Sequence, residues 1–223
     1  MWSLCLIVTV IVAYLLGSVN FAVILTHALH KTDIRKVGTH NPGTANIGRY
    51  LGKGWGALVL LLDIGKGLAP LIVARKYLFT GNNYADYFAL FICGMAAILG
   101  HCRPLYYHFK GGGGLATSIG VFSFFVPVEF FCAMLIAFLT ARIFFRHLGF
   151  SISQITPLLF IILTPVFVIL SDLFFHLHIS GRITVGSHPW YVVTGVIVLS
   201  AFIAWLNAGI GVRRLKELII KNK

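Results

Sequence analysis

Residues 115–140 read Leu115-Ala-Thr-Ser-Ile-Gly-Val-Phe-Ser-Phe-Phe-Val-Pro127-Val-Glu129-Phe-Phe-Cys-Ala-Met-Leu-Ile-Ala-Phe-Leu-Thr140. A membrane helix needs about 20 apolar residues. This run is therefore either one long helix kinked at its proline, or two short crossings at 115–126 and 130–141 joined by a tight turn at Pro127-Val128-Glu129. The choice sets which side of the bilayer everything downstream occupies. Five further apolar segments lie at 3–26, 55–74, 87–102, 152–175 and 190–207. With two short crossings, fourteen of the 18 Lys and Arg residues share one side, among them Arg35, Arg49, Lys110, Arg142 and the basic C-terminus. Arg75, Lys76 and Arg182 lie on the other side, and Lys66 falls within a span. Fusing the two pieces would send Arg142, Arg146 and the C-terminus across. Cytoplasmic loops carry the excess of Lys and Arg, which favours seven segments with the N-terminus outside and the C-terminus cytoplasmic. The expected fold is an all-α integral membrane protein of the cell inner membrane. It is a compact bundle of about seven transmembrane helices, two of them short, forming one domain over residues 1–223.

Composition agrees. Of 223 residues, 58% are hydrophobic and 11% charged, against about 25% charged in a soluble domain, which excludes a soluble globular enzyme. An aromatic content of 14% excludes a disordered or fibrous chain. The formal charge of +12 would suggest nucleic acid in a soluble protein. Here membrane sidedness accounts for it, so the expected partner is the lipid bilayer and not nucleic acid. Cys5, Cys93, Cys102 and Cys132 are scattered without a CxxC pair and read as buried free thiols. The N-terminus lacks a basic flank, and its apolar run continues to about Leu25, so it reads as a retained first helix and not a signal peptide. No internal repeat or matching pair of broken helices appears, which lowers the case for an inverted-repeat transporter.

Two polar stretches carry the chemistry. The first is Thr32-Asp-Ile-Arg-Lys-Val-Gly38-Thr-His-Asn-Pro-Gly43-Thr-Ala-Asn-Ile-Gly-Arg49. Its glycines permit close turns, Asn41 and Asn46 tolerate left-handed backbone, Thr39 adds a hydroxyl, and Arg35, Lys36 and Arg49 add charge. Exposed N–H groups beside Arg form an anion nest. The second is Gly100-His101-Cys-Arg-Pro-Leu-Tyr-Tyr-His108-Phe-Lys110-Gly-Gly-Gly-Gly114-Leu-Ala-Thr117-Ser. There Gly111, Gly112, Gly113 and Gly114 lead into an apolar helix whose first N–H groups can face phosphate. Either loop also reads as a plain turn or hinge. Asp63 and Lys66 share one helix face inside a span, as a functional pair or as mutual neutralisation. Ser18 and Asn20 end the inner half of the first span and either bond across helices or line the same cavity. His176, His178 and His188 read as a solvated external loop. No metal or organic cofactor is expected.

Together these stretches resemble the PlsY-type glycerol-3-phosphate acyltransferases. The runs Leu16-Gly-Ser-Val-Asn20, Gly38 to Arg49, Leu62-Asp-Ile-Gly-Lys-Gly67 and Gly100 to Thr117 are similar to the family's LLGS, GSGNxGATNxxR, LDxxKG and GHxxPxxxxFKGGKGVAT. Order and spacing agree over residues 12–120; beyond that the likeness is mainly hydropathy. The resemblance implies transfer of an acyl chain from acyl phosphate to glycerol 3-phosphate, giving 1-acyl-glycerol 3-phosphate and phosphate, the first step of phospholipid synthesis. No acyl-enzyme is implied, because the glycerol hydroxyl attacks directly. It also implies Thr39, Arg49 and Lys110 as catalytic residues on the cytoplasmic face. Gly38, Asn41, Gly43, Asn46, Gly111 to Gly114 and Thr117 are implied to bind phosphate, supported by Ser18, Asp63, Lys66 and His101. Several positions depart from the pattern. Thr39 replaces Ser, Thr44-Ala45 is swapped, and His40 replaces a Gly and is expected to need a different backbone. Gly113 replaces the second Lys, for which Arg103, His108 or His40 are candidate substitutes. Gly149, with Ser151 nearby, falls at a family serine. Ala208 to Leu215 lacks the His and Asn of HRxNIxRL. A ligand-binding paralogue of the same fold and a small transporter remain alternatives.

Overall fold

The computed structural model describes residues 2–145, 152–174, 177–179, 183–185 and 188–221. The helices are α1 (Trp2–Ser18), α2 (Phe21–His30), α3 (Thr44–Tyr50), α4 (Lys53–Tyr77), α5 (Tyr84–Cys102), α6 (Leu115–Phe125), α7 (Pro127–Thr140), α8 (Ile152–Phe174) and α9 (Trp190–Lys221). A π-helical stretch, Ala141–Phe145, continues α7. Between α8 and α9 the strands β1 (Leu177–Ile179) and β2 (Ile183–Val185) pair antiparallel, Leu177 opposite Val185. This hairpin is a small departure from the all-helical expectation, in a segment rich in β-branched residues.

Residues 115–140 are two helices. Val126 alone separates α6 from α7, with Pro127 at the first position of α7. The Phe122 and Phe130 rings stack with centroids 5.5 Å apart. On one continuous helix they would stand about 12 Å apart along the axis. The chain therefore reverses direction at Val126, as seven crossings require. Only one of the two remains short. The π-helical extension carries the second to Phe145, a span of 19 residues, while α6 stays at 11.

Lipid-facing helices have no hydrophobic drive toward one another, so close contacts fall where small residues let backbones meet. Gly67 on α4 faces the Thr117 carbonyl of α6, and Gly120 on α6 faces the Ile64 carbonyl of α4; a Cβ at either would collide with that oxygen. Gly17 and Gly100 draw α1 against α5 in the same way. These crossings fix the end of α5 and the start of α6, where the second polar stretch hangs. The outward surface is apolar: Leu4 is 66% exposed, Leu61 66% and Leu173 67%. Of the thiols, Cys93 and Cys102 are buried, whereas Cys132 is exposed on this outer surface.

The first span is broken between α1 and α2. Asn20 caps α2 by accepting from Val23 N at 3.1 Å, and the Val19 carbonyl freed by the break accepts from Lys66 Nζ at 2.7 Å. Ser18 Oγ donates to the Tyr14 carbonyl and accepts from Leu105 N at 3.3 Å. Irregular backbone at membrane depth persists only when such partners satisfy it.

Candidate active site

The first polar stretch folds around two side chains. Asn46 is buried and turns inward, its Oδ1 accepting from Thr39 N at 3.0 Å and its Nδ2 donating to the Ile34 and Val37 carbonyls at 3.2 and 2.9 Å. Gly38, at φ +61°, leaves no room for a Cβ beside that Asn46 oxygen. Both residues build the turn, and neither lines the cavity. Arg35 is the second organiser. It pairs with Asp33 at 2.7 Å, and its Nη1 donates to the Tyr107 and Lys110 carbonyls at 3.3 and 3.5 Å, joining the two stretches. Hydrogen bonding from Arg35 holds the Asp33 carboxyl below its usual range, and Asp33 in turn raises Arg35. The pair therefore persists above the ordinary Asp value and is lost only as pH falls through the lowered one. His40 adopts φ +57°, the left-handed conformation open to glycine, with its Nδ1 3.1 Å from the Arg35 carbonyl. A histidine tolerates this region better than most side chains.

The second stretch leaves α5 at Cys102 and enters α6 at Gly114, whose φ is +75°. No side chain caps α6, so its first backbone N–H groups remain available to a ligand. Gly112 N donates to the His101 carbonyl at 3.1 Å, and a Cβ on Gly112 would collide with His101 Nε2. From α9, Asn207 Nδ2 donates to the Gly113 carbonyl at 2.9 Å. Sequence reading missed Asn207 altogether, because nothing local marks a contact across 94 positions. Arg35 carries a signal in its Asp-x-Arg spacing, beyond its charge.

The two stretches meet over one cavity of about 1290 Å³. Thr39, Asn41, Gly43, Arg49, Lys110 and Gly111 to Gly114 line it, together with Asp63 and His101 beneath. Its other wall is apolar, with Leu60, Ile119, Met134, Phe160, Trp205 and Leu206 drawn from five helices. His40 and Arg103 also reach it, whereas His108 lines an adjoining hollow of about 480 Å³ that shares Lys110. Thr117 is not brought there: it is fully buried where α6 meets Gly67. Ser18 and Lys66 also stay out, occupied with the break in the first span. Lys66 pairs with Asp63 at 2.9 Å, and His101 Nδ1 stands 3.7 Å from the same Asp63 oxygen. Gly149 and Ser151 lie outside the described residues, as do the side chains of 209–215.

At the opposite end of the bundle, His188 is not solvated. Its Nδ1 lies 2.9 Å from Asp172 and its Nε2 3.7 Å from Glu129, and its side chain is 8% exposed. Glu129 on α7 and Asp172 on α8 thus flank it, and His188 N also donates to Asp172 at 3.0 Å. His176 and the His178 side chain lie outside the described residues. Among the described residues no group of three or more His, Cys, Asp or Glu is placed to hold a metal.

Gly113 stands where the resemblance expects Lys. A Cβ there would lie 3.0 Å from Asn207 Oδ1, so a side chain there crowds Asn207 and weakens its bond to the loop. Gly113→Lys is therefore expected to change turnover less than about threefold, since other cations already face the cavity. It should also lower the unfolding temperature by a few degrees, from the loss of a hydrogen bond worth about 1 kcal/mol. Paired turnover and thermal-unfolding measurements in detergent check both.

Comparison with known proteins bears on the whole chain. Residues 7–214 match the family model described as glycerol-3-phosphate acyltransferase. A glycerol-3-phosphate acyltransferase of Shouchella clausii is 42% identical over 171 residues, covering 77% of this chain and 78% of that protein. One from Vibrio campbellii is 37% identical over 163 residues, covering 73% and 74%. A crystal structure of PlsY, an integral membrane glycerol 3-phosphate acyltransferase in its glycerol 3-phosphate form, superposes with TM-score 0.71 at 30% identity, covering 95% of this chain and 92% of that one. The likeness thus extends well past residue 120, where sequence motifs gave out.

Proposed function

The chain belongs to the glycerol-3-phosphate acyltransferase family, and from that membership and the cavity's two-sided lining we propose how it works. It is a membrane enzyme that transfers an acyl chain to glycerol 3-phosphate, an opening step of phospholipid synthesis. The donor is acyl phosphate, and the products are 1-acyl-glycerol 3-phosphate and phosphate. The observation that carries this reading is a single cavity with cations and glycine backbone on one side and apolar helix faces on the other. Arg49 holds the phosphate of glycerol 3-phosphate. Lys110, with the backbone of Gly111 to Gly114, meets the phosphate of the donor. The Thr39 hydroxyl and Asn41 border the glycerol, and the acyl tail lies along Ile119, Met134 and Phe160. Fixing both substrates in one water-poor site supplies most of the acceleration, since attack is direct.

The site faces the cytoplasm in this reading, with the N-terminus outside. The support is the basic residues Arg35, Lys36, Arg49, Arg103 and Lys110 at the end of the bundle that holds the cavity. Tags at Ile34 and at the C-terminus should report cytoplasmic and one at Gly181 external; a Gly181 tag on the C-terminal side overturns the orientation. The donor is tested with purified protein in detergent, labelled glycerol 3-phosphate, and either acyl phosphate or an acyl thioester. Lysophosphatidate from acyl phosphate alone is expected; formation from the thioester alone overturns the donor assignment.

A further inference from the structure

Beside the main cavity lies the hollow of about 480 Å³, lined by Asp33, Arg35, Lys36, His40, His108 and Lys110. Its charge is one-sided. Among the described residues Asp33 is the one carboxylate on its wall, and both its oxygens are taken by Arg35, Oδ1 from Nε at 3.0 Å and Oδ2 from Nη2 at 2.7 Å. Arg35 is engaged in turn, its Nη1 on the Tyr107 and Lys110 carbonyls and its guanidinium 5.2 Å from the Tyr107 ring centroid. The pair is a neutral frame. Lys36 and His108 are exposed, and among the described residues neither side chain has a hydrogen-bond or ion-pair partner. His108 is set at the hollow by a turn in which it and Phe109 both take left-handed φ, +53° and +59°, closed by Phe109 N donating to the Pro104 carbonyl at 2.9 Å. What remains is a water-facing hollow with two lysines, two histidines and no unpaired carboxylate. His40, Lys110 and Gly111 border both spaces, whereas Arg49 lines only the main cavity.

We propose that this hollow binds inorganic phosphate and is the route by which the phosphate freed from the acyl donor leaves for water, an inference that rests on the acyltransferase reading. The two products differ in kind. Lysophosphatidate keeps an acyl chain against the apolar helix faces and departs into the bilayer. Phosphate has no chain and must depart into water. The cation shared by the two spaces is Lys110, which meets the donor phosphate, and not Arg49, which holds the phosphate of glycerol 3-phosphate. The phosphate nearest the hollow is therefore the one released. Passing from Lys110 to Lys36 and His108 keeps the anion beside cations until it reaches solvent. Apart from Pro42 and Tyr107 the hollow offers no apolar side chain to an acyl tail, which favours a small phosphate over a lipid headgroup. Phosphate seated there also draws Lys110 from the next donor, so it slows turnover even when acyl phosphate is saturating.

The test is inhibition of turnover by added inorganic phosphate, in detergent, for wild type and the double variant Lys36→Gln with His108→Asn. Asparagine tolerates the left-handed backbone of His108. In wild type, phosphate is expected to inhibit competitively against acyl phosphate through the main cavity and noncompetitively through the hollow. The double variant should raise the noncompetitive inhibition constant about tenfold or more, from the loss of charge-assisted contacts, and hold the competitive one within about twofold. Purely competitive inhibition of wild type, or a noncompetitive constant that the double variant leaves unchanged, overturns the proposal. A raised KM for glycerol 3-phosphate with phosphate inhibition unchanged assigns the hollow to the acceptor substrate. A change confined to the response to phosphatidylglycerol in nanodiscs assigns it to a lipid headgroup. Either outcome overturns the proposal. Equilibrium dialysis with labelled inorganic phosphate at saturating glycerol 3-phosphate decides without turnover: about two equivalents per wild-type chain and one per double-variant chain are expected, and equal numbers overturn it. Absence of wild-type turnover defeats the acyltransferase reading, a separate outcome, and the dialysis still judges the hollow. If the double variant fails to fold, Lys36→Gln alone is measured, with a change of about threefold expected and no change overturning the proposal.

Discussion

Arg49→Ala is expected to raise KM for glycerol 3-phosphate by about 10- to 100-fold while leaving the protein folded. Arg49 sits in the last turn of α3, exposed and on the cavity wall. Among the described residues it has no hydrogen-bond or ion-pair partner, unlike Arg35, which Asp33 neutralises. An unpaired guanidinium at a cavity is available to an anion, and a charge-assisted hydrogen bond is worth about 1.5–3 kcal/mol, which by the tenfold-per-1.4 rule gives that range. Folding should survive because α3 is anchored elsewhere: Ile47 is fully buried and Gly48 packs on Gly56. Arg49→Lys should recover only part, since the ammonium cannot bind two oxygens in a fixed fork. Steady-state kinetics with glycerol 3-phosphate as the varied substrate measures it. A KM within twofold of wild type removes the first polar stretch from phosphate binding.

Lys110→Met should act on kcat more than on KM, lowering it by about 10²–10³. With Gly113 in place of a second lysine, Lys110 is the cation of the glycine loop. Its backbone is clamped from both sides, its N–H donating to the Tyr107 carbonyl at 3.1 Å and its carbonyl accepting from Arg35 at 3.5 Å. Its ammonium has no partner among the described residues and stands where the main cavity meets the smaller hollow. A cation fixed beside the donor phosphate stabilises charge that grows as the acyl bond breaks, so its removal slows chemistry more than it weakens binding. Lys110→Arg should retain a substantial part of kcat. A Met variant that raises KM alone, with kcat kept, would place Lys110 in substrate capture and not in the chemical step.

Both expectations rest on residue types that could be read without coordinates. Hydropathy and charge are properties of a segment, so runs such as 115–140 and the lopsided lysines and arginines determined the seven crossings, the common side of the two polar stretches, and the places of Arg49, Lys110 and the glycines. The membrane makes this legible, because it forces each apolar segment across and penalises any charge left within. Where a polar side chain points is a different kind of property. Gly38, Asn46 and Thr117 look like substrate ligands in a motif and Ser18 like their support, yet each is engaged with backbone or close packing. His188 looks solvated and is held by Asp172. Asn207 carries no motif and lies on Gly113. His40 takes a left-handed turn that its type does not announce. In each case the deciding partner is another backbone group or a side chain, reached only through the fold and up to 94 positions away in the chain. A buried polar group must find a hydrogen-bond partner or lose a few kcal/mol, and only the packed bundle decides whether that partner is the protein itself or the substrate.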